Sequence, residues 1–376
     1  MIYLDHAATT PVAREVADTM YDVLLNGSGN PSSQYPYGAA AKKRLEADRT
    51  VIAAALGCKP DELYFTSCGT ESDNWAIRLA AHQNRRVGKH IITTAVEHSA
   101  VLEPCRQLEQ EGYAVTYLAP DRQGNITAQQ VADALREDTA LVSVMLVNNE
   151  TGCVFPVGEI ARLLRERGSR ALLHTDAVQA FLKLPFRADT LGADLISVSG
   201  HKLNAPKGVG ALYIRKGVKI KPRTFGGSQE MKIRPGTEAM PAIAGFGAAA
   251  RALPDPKREL EHITMLRDYM VSKLTEIDDV VINSPPDALP FVTNVSVLGI
   301  KSEPMLNFLS ERGICVSSGS ACSKGKKSHV LTQMNLDRRR LDSPLRISFS
   351  RFTTVSEIDA LVLGIREGKK TIRAIK

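Results

Sequence analysis

Short apolar runs alternate with stretches of helical spacing from about residue 16 to 255, and each run is bounded by polar or glycine-rich punctuation. The runs at 63–66, 90–94, 114–118, 141–147, 172–175, 194–198 and 210–214 predict seven buried strands. Strands that alternate with helices predict an α/β architecture, a mainly parallel seven-stranded sheet with helices on both faces. The Pro254-Asp255-Pro256 punctuation ends this pattern. Beyond it, Leu260, Ile263, Leu266, Met270, Leu274 and Ile277 recur at helical spacing and predict a long helix leading into a smaller α+β domain. A chain of 376 residues with 43% hydrophobic content exceeds the usual single core, which also predicts two domains.

Chemistry concentrates where these strands end. The run 194–198 leads into Ser199-Gly200-His201-Lys202, which places Lys202 just past the carboxyl end of a buried strand. A half-buried amine there loses its proton more easily than an exposed one, so Lys202 is a candidate Schiff-base nucleophile for pyridoxal phosphate; the plainer alternative is a solvated loop lysine. Upstream, Ala171-Leu172-Leu173-His174-Thr175-Asp176 is another short strand ending in a carboxylate. If both strands reach one edge, Asp176 keeps a pyridine nitrogen protonated while Lys202 holds the aldehyde carbon. Asp176 before Ala177-Val178-Gln179 also suits a helix N-cap, with Gln179 in the first turn near enough to reach the ring hydroxyl. A third strand breaks at Ser67-Cys68-Gly69-Thr70 into a helix, whose first N–H groups and positive end, with the Thr70 hydroxyl, form a cradle for a phosphate. Nucleotide-binding motifs do not fit: no G-x-G-x-x-G follows a strand, and the spacing from Gly319 to Gly325 is not that of a P-loop.

With these segments in place, the chain resembles the pyridoxal-phosphate enzymes of the class V aminotransferase group, and within it the cysteine desulfurases. The resemblance rests on Tyr3 to Thr10, Thr66 to Asn74, Glu97-His98-Ser99-Ala100, Val147 to Gly152, His174 to Ala180, Ser199 to Lys202, Arg234 to Glu238, Ser317 to Cys322 and Leu345-Arg346-Ile347-Ser348, in the family's order and across nearly the whole chain. It implies the fold type I of PLP-dependent transferases, with residues 16–255 as the large PLP-binding domain and residues 1–15 and 256–376 as a small domain carrying the catalytic cysteine loop. It implies that Lys202 binds the cofactor covalently, His98 stacks on the ring, Asp176 holds the ring nitrogen and Gln179 the ring oxygen. Gly69, Thr70, Ser199 and His201 are implied at the phosphate, Asn149 beside the ring oxygen and substrate carboxylate, and Arg346 on that carboxylate. Cys322 is the implied nucleophile toward sulfur, and Thr237 is implied to reach the phosphate of a neighbouring subunit, which requires a homodimer.

The activity so implied is conversion of L-cysteine to L-alanine, with a persulfide on Cys322 passed to a sulfur-acceptor protein such as an iron–sulfur scaffold or a tRNA-thiolating enzyme. Lys202 and His98 are the implied proton carriers, and the Ser317-Ser318-Gly319-Ser320 run suits a mobile loop. Selenocysteine lyase, another class V lyase or aminotransferase, and a non-catalytic sulfur-carrier scaffold remain alternatives. Among departures from the family's pattern, His6 stands where asparagine is common, Pro235 is unusual, and Lys324, Lys326 and Lys327 follow Cys322, where positive charge favours a thiolate.

Composition narrows the setting. Cysteines at 58, 68, 105, 153, 315 and 322 form no C-x-x-C pair or zinc spacing and read as reduced thiols, with Cys315 expected in a buried strand and no metal site expected. The net charge of +7 is spread along the chain with no long basic block, so direct nucleic-acid binding is not expected. The run at 141–147 is far short of the roughly 20 residues of a spanning helix, so no membrane association is expected. The N-terminus opens into the Tyr3 to Thr10 motif without a basic and apolar leader, which predicts a cytoplasmic product.

Overall fold

A computed structural model describes residues 1–373 apart from 28, 220, 223, 254–255 and 320–326. After a short first strand, β1 (Ile2–Tyr3), seven strands form one sheet: β2 (Leu63–Thr66), β3 (His90–Thr94), β4 (Ala114–Leu118), β5 (Thr139–Ser143), β6 (Leu172–Asp176), β7 (Leu195–Ser199) and β8 (Gly210–Ile214). Their order is β2-β8-β7-β6-β5-β3-β4. All pairs are parallel except those of β8, which runs antiparallel to both β2 and β7. Because β8 alone is reversed, β2 and β7 point the same way, and the carboxyl ends of six strands share one edge. Gly210 starts β8 between Thr66 and Ser199, its register partners. A Cβ there would come within 2.8 Å of both the Cys68 carbonyl carbon and the Val198 oxygen, so only glycine lets the ends of β2 and β7 approach this closely.

Successive strand side chains face opposite ways and build a core on each face. Ile91, Leu141, Leu195 and Leu212 pack with Trp75, Ile77, Val101 and Leu108 of the helices Gly69–Gln83 and Ser99–Gln110. Their neighbours Ile92, Val142, Ile196 and Ala211 join the other core, with Ile160, Ile243 and Phe246 of the helices Val157–Glu166 and Met240–Ala252. The mainly parallel sheet with helices on both faces is thus present. One boundary differs: the apolar run 141–147 predicts a strand to Val147, but β5 closes at Ser143. Residues 144–147 stay buried and follow β6 through hydrogen bonds from Val144 N–H to the His174 carbonyl and from Leu146 N–H to the Asp176 carbonyl. Burial alone does not distinguish a strand from a buried connection.

The helix Pro256–Thr275 buries Ile263, Leu266, Met270 and Leu274, as their spacing predicts. Beyond it, β9 (Val280–Ile282), β10 (Val292–Val297) and β12 (Pro344–Ser348) form an antiparallel sheet of order β12-β10-β9, while β11 (Ile314–Cys315) pairs in parallel with β1. Cys315 is a strand residue, but it is half-buried rather than buried.

A buried ion pair fastens edge strand β2 to the segment leading to Thr237. Arg49 donates to both carboxylate oxygens of Glu230 at 2.8 and 2.6 Å and to the Leu63 carbonyl at 2.8 Å, and Glu230 also accepts the Phe65 N–H at 2.7 Å. Both side chains are almost fully buried. Glu230→Ala would remove the bidentate partner of a buried guanidinium, leaving it the Leu63 carbonyl and a longer contact to Glu46 at 3.3 Å, and would leave a strand N–H without its acceptor. It is expected to destabilise the chain by about 3–5 kcal/mol, read as a lowered urea midpoint, and a loss under ~1 kcal/mol would contradict the pair's role.

Candidate active site

Five strands deliver side chains to the shared edge. β2 leads to Cys68-Gly69-Thr70, β3 to His98, β5 to Met145 and Asn149, β6 to Asp176, Val178 and Gln179, and β7 to Ser199, His201 and Lys202. All of these line one cavity, closed by Ala7, Ala8 and Arg346. Ten of the residues singled out in the sequence therefore meet: Gly69, Thr70, His98, Asn149, Asp176, Gln179, Ser199, His201, Lys202 and Arg346.

Lys202 Nζ donates to the carbonyls of Ala7 and Ala8, each at 2.6 Å. Burial, reinforced by the charges of Lys183 and Arg346 and opposed by Asp5 and Asp176, lowers its pKa to about 7. A substantial fraction of the amine is then unprotonated near neutrality, as a nucleophile toward an aldehyde requires. Asp176 accepts the Val178 N–H at 2.8 Å. The chain after it makes successive turns instead of the helix its sequence suits, so Asp176 caps a turn. Burial raises its pKa to about 7, with the neighbouring Asp73 adding to the effect. A carboxylate so short of compensating charge favours a cationic partner, such as a protonated ring nitrogen.

Behind Asp176 lies His174, fully buried between Ser143 Oγ (2.8 Å from Nδ1) and Ser197 Oγ (3.1 Å from Nε2). Its Nε2 is 3.5 Å from Asp73 Oδ1. Burial lowers the His174 pKa to about 4, so this contact is with a neutral imidazole. His98 caps the helix Ser99–Gln110 by accepting the Ala100 N–H on Nδ1 at 3.1 Å. Burial, with the charges of Lys202 and His329, lowers its pKa to about 4. With Nδ1 acting as acceptor, the neutral ring carries its proton on Nε2.

The cavity meets the demands of a phosphorylated pyridine in three respects. Buried polar atoms of five lining residues have no hydrogen-bond partner among the described residues: Asp73 Oδ1, Asn149 Oδ1, Gln179 Oε1, Ser199 Oγ and Arg346 Nε. Gln179 is held from its other end by Nε2 donating to the Ala7 carbonyl at 3.0 Å. Gly69 leaves room at the helix N-terminus, since a Cβ would fall 2.7 Å from Val178 Cγ2 and 3.6 Å from Ser199 Cβ. Finally, the first-turn N–H groups of the helix Gly69–Gln83 supply donors suited to phosphate. His201, held by Thr9 Oγ1 at 3.2 Å, is kept neutral by burial and by Lys202 and other nearby cations, with a pKa of about 3.

Arg346 is 1% exposed, with Nη1 donating to the Asn149 carbonyl at 3.1 Å, Nη2 to Asp5 Oδ1 at 2.8 Å, and Nε without a partner among the described residues. Thr237 is not in this cavity; it is exposed beside a separate depression that includes Val23, Leu24 and Glu238. Cys322 lies outside the described residues, as do Lys324 and Lys326. Lys327, which the sequence suggests as a thiolate-stabilising charge, is engaged by Asp342 at 2.7 Å. Sequence reasoning gave no role to Asp5, Ala7, Ala8 or Asp73. All four fall in matching segments, but backbone carbonyls leave no side-chain signal, and Asp73 reads as an ordinary acid in the second turn of the helix Gly69–Gln83.

Gly69→Ala provides a test of the cradle, because the added methyl would push Val178 or Ser199 into it. The variant is expected to fold normally and to bind pyridoxal phosphate at least about tenfold more weakly in a fluorescence titration; unchanged affinity would place the phosphate elsewhere.

Residues 2–361 match the family model described as aminotransferase class-V. A cysteine desulfurase of Trichormus azollae is 43% identical over 388 aligned positions, covering 100% of this chain and 94% of the relative. Among solved structures, a NifS-like protein superposes with a TM-score of 0.93 at 36% identity, covering 99% of this chain and 100% of the other. SspA in complex with cysteine gives a TM-score of 0.83 at 35% identity, covering 94% and 100%. A family match over almost the whole chain, joined to relatives of this identity and coverage, makes the chain a member of the class-V aminotransferases and, within them, of the cysteine desulfurases.

Proposed function

We propose that the chain is a pyridoxal-phosphate-dependent enzyme that converts L-cysteine to L-alanine and passes the sulfur, through a persulfide on Cys322, to an acceptor protein. The observation that carries this reading is the convergence on one cavity of a low-pKa lysine, a buried carboxylate, a phosphate cradle and a buried arginine. When bound, pyridoxal phosphate supplies an aldehyde for the substrate amine and an electron-withdrawing ring that weakens bonds at the substrate α- and β-carbons. In this reading Lys202 and Asp176 hold its two ends, Gln179 and Asn149 its ring oxygen, and Gly69, Thr70, Ser199 and His201 its phosphate.

Arg346 binds the substrate carboxylate, as its buried guanidinium and unpartnered Nε favour. Lys202 would move protons at the substrate α-carbon, and His98 would offer an Nε2 proton. The Cys322 thiolate attacks the substrate sulfur. An S–S bond forms and the Cβ–S bond breaks, its electron pair staying with carbon, which gains a proton to become the methyl of L-alanine. The nucleophile must be a reduced thiol, which fits a reducing compartment such as the cytoplasm. Among the described residues no helix is long and apolar enough to cross a membrane.

A homodimer completes this reading. Tyr21, Leu24 and Leu25 expose large apolar side chains on the helix Arg14–Asn26, next to the depression beside which Thr237 lies. Arg234, in the same segment as Thr237, is tied to Glu71 in the cradle helix at 3.0 Å. A partner covering this face would place Thr237 within reach of its own phosphate site. The pairing of β1 with β11 supports treating residues 1–15 and 256–376 as one unit distinct from 16–255. An iron–sulfur scaffold or a tRNA-thiolating enzyme is the class of acceptor proposed.

Two measurements test the assignment. In cofactor-free protein, covalent loading by pyridoxal phosphate should accelerate as pH rises through about 7, because only the unprotonated Lys202 amine attacks the aldehyde. Lys202→Ala should lose the borohydride-trappable link, and a rate that climbs only toward the ordinary lysine value of 10.5 would contradict the buried amine. Separately, Cys322→Ser should retain cofactor and cysteine binding yet lower alanine formation by at least about 100-fold and carry no persulfide in peptide mass spectra after a cysteine pulse, whereas Cys315→Ser should stay active. Undiminished alanine formation by Cys322→Ser, or persulfide on Cys68, Cys153 or Cys315 instead, would overturn the mechanism.

A further inference from the structure

The guanidinium assigned above to the substrate carboxylate already has an anionic partner. Asp5 Oδ1 lies 2.8 Å from Arg346 Nη2 in a pair whose side chains are 18% and 1% exposed. Asp5 does not line the cavity, although Ala7, Ala8 and Arg346 do, so it meets the guanidinium from outside the binding space. Its placement is rigid. Asp5 forms a bridge with Ser348, Ser348 N–H donates to the Leu4 carbonyl at 2.8 Å, and Ala7 N–H donates to Ser348 Oγ at 2.8 Å. Arg346 itself sits on β12, two residues before Ser348, with Nη1 on the Asn149 carbonyl. Two of the three guanidinium nitrogens are thus oriented by the protein, and Nε has no partner among the described residues.

We propose that Asp5 is a positioning residue with two separable effects on Arg346. Its oxygen fixes the guanidinium orientation, and its charge offsets the guanidinium charge, weakening the hold on the substrate and product carboxylate. The inference rests on the assignment of Arg346 to that carboxylate. The physical argument is charge balance: a ligand carboxylate arriving at Arg346 meets a cation already half a salt bridge, and repulsion from Asp5 subtracts from the attraction in a poorly solvated site. The enzyme gains a carboxylate site that orients amino acids without retaining L-alanine.

Asp5→Asn separates the two effects, since the amide keeps an acceptor oxygen for Nη2 and loses the charge. Dimeric holoenzyme would be titrated with L-alanine and with L-alaninamide, following the cofactor absorbance. The ratio of the Kd for the amide to that for the acid isolates carboxylate recognition from amine binding. In Asp5→Asn this ratio is expected to rise about 3- to 10-fold over wild type, through tighter L-alanine binding. Asp5→Ala, which also loses the orienting oxygen, should give a smaller ratio than Asp5→Asn, and Asp5→Glu, which keeps the charge, should stay near wild type.

An unchanged or lower ratio in Asp5→Asn would overturn the charge offset. So would a rise of about 3-fold or more in Asp5→Glu, which keeps the charge, since that would trace the effect to packing, and this outcome counts against the offset even where Asp5→Asn folds poorly. Arg346→Ala serves as the reference, expected to collapse the ratio toward that of a site blind to the carboxylate. If it leaves the ratio unchanged, the carboxylate assignment itself fails and the role of Asp5 falls with it; if it collapses the ratio while Asp5→Asn does not raise it, only the role of Asp5 fails.

Discussion

Lys202 Nζ is held by two backbone carbonyls, those of Ala7 and Ala8, each at 2.6 Å, and this contact ties the chemistry to the first ten residues of the chain. On one side, Thr10 N–H and Oγ1 donate to the His201 carbonyl at 2.9 Å each, while Thr10 Oγ1 accepts the Asn204 N–H at 2.7 Å. The turn bearing Lys202 is thereby clamped on both flanks. On the other side, Ile2 and Leu4 N–H groups donate to the Gly313 and Cys315 carbonyls, and Leu4 accepts from Ser348 on β12. One short segment thus sets the position of the lysine against the strand that carries Arg346. Burial and the charges of Lys183 and Arg346 favour a neutral amine there, whereas Asp5 and Asp176 favour a protonated one. A pKa of about 7 is the balance of these opposed effects.

The same opposition governs the acidic end of the cavity. Asp73 and Asp176 are both buried, and burial raises each to about 7. His174, the nearby imidazole, is itself held neutral and offers no compensating charge. A cationic ring nitrogen would relieve this excess of buried acidity; both acids line the cavity, and Asp176, oriented by the Val178 N–H, is the one proposed above to receive it. Buried acids of this kind favour a cation at this end of the cavity, as preorganised charged groups do.

Much of this was legible before any coordinates. Apolar runs located all seven strands of the large sheet, because buried strands demand continuous apolar residues, and strand ends then indicated Asp176, Ser199 and Lys202. Direction was not legible: the run 210–214 is as apolar as its neighbours, and nothing in it announces that β8 alone is reversed. Nor was the limit of β5, since residues 144–147 are buried whether or not they pair as a regular strand. Asp73 escaped notice because its significance comes from packing against His174, about a hundred residues distant in sequence. Ala7 and Ala8 escaped because their contribution is made by main-chain oxygens, which any residue would carry.

The unpartnered atoms around the cavity explain why such a site needs a rigid sheet edge beneath it. Leaving Asn149 Oδ1, Gln179 Oε1 and Ser199 Oγ buried without partners among the described residues costs about 1–3 kcal/mol each where nothing replaces the missing bond. A loosely packed edge would relax, letting these groups find one another and closing the cradle. Here the relaxation is blocked at identifiable points. Gln179 is tethered through Nε2 to Ala7, the Asn149 carbonyl is engaged by Arg346, and Ser199 is locked in register opposite Gly210. The polar atoms therefore stay unmatched because their own backbones and opposite ends are committed elsewhere, and it is this commitment, more than the identity of any single lining residue, that suits the edge to the binding role proposed above.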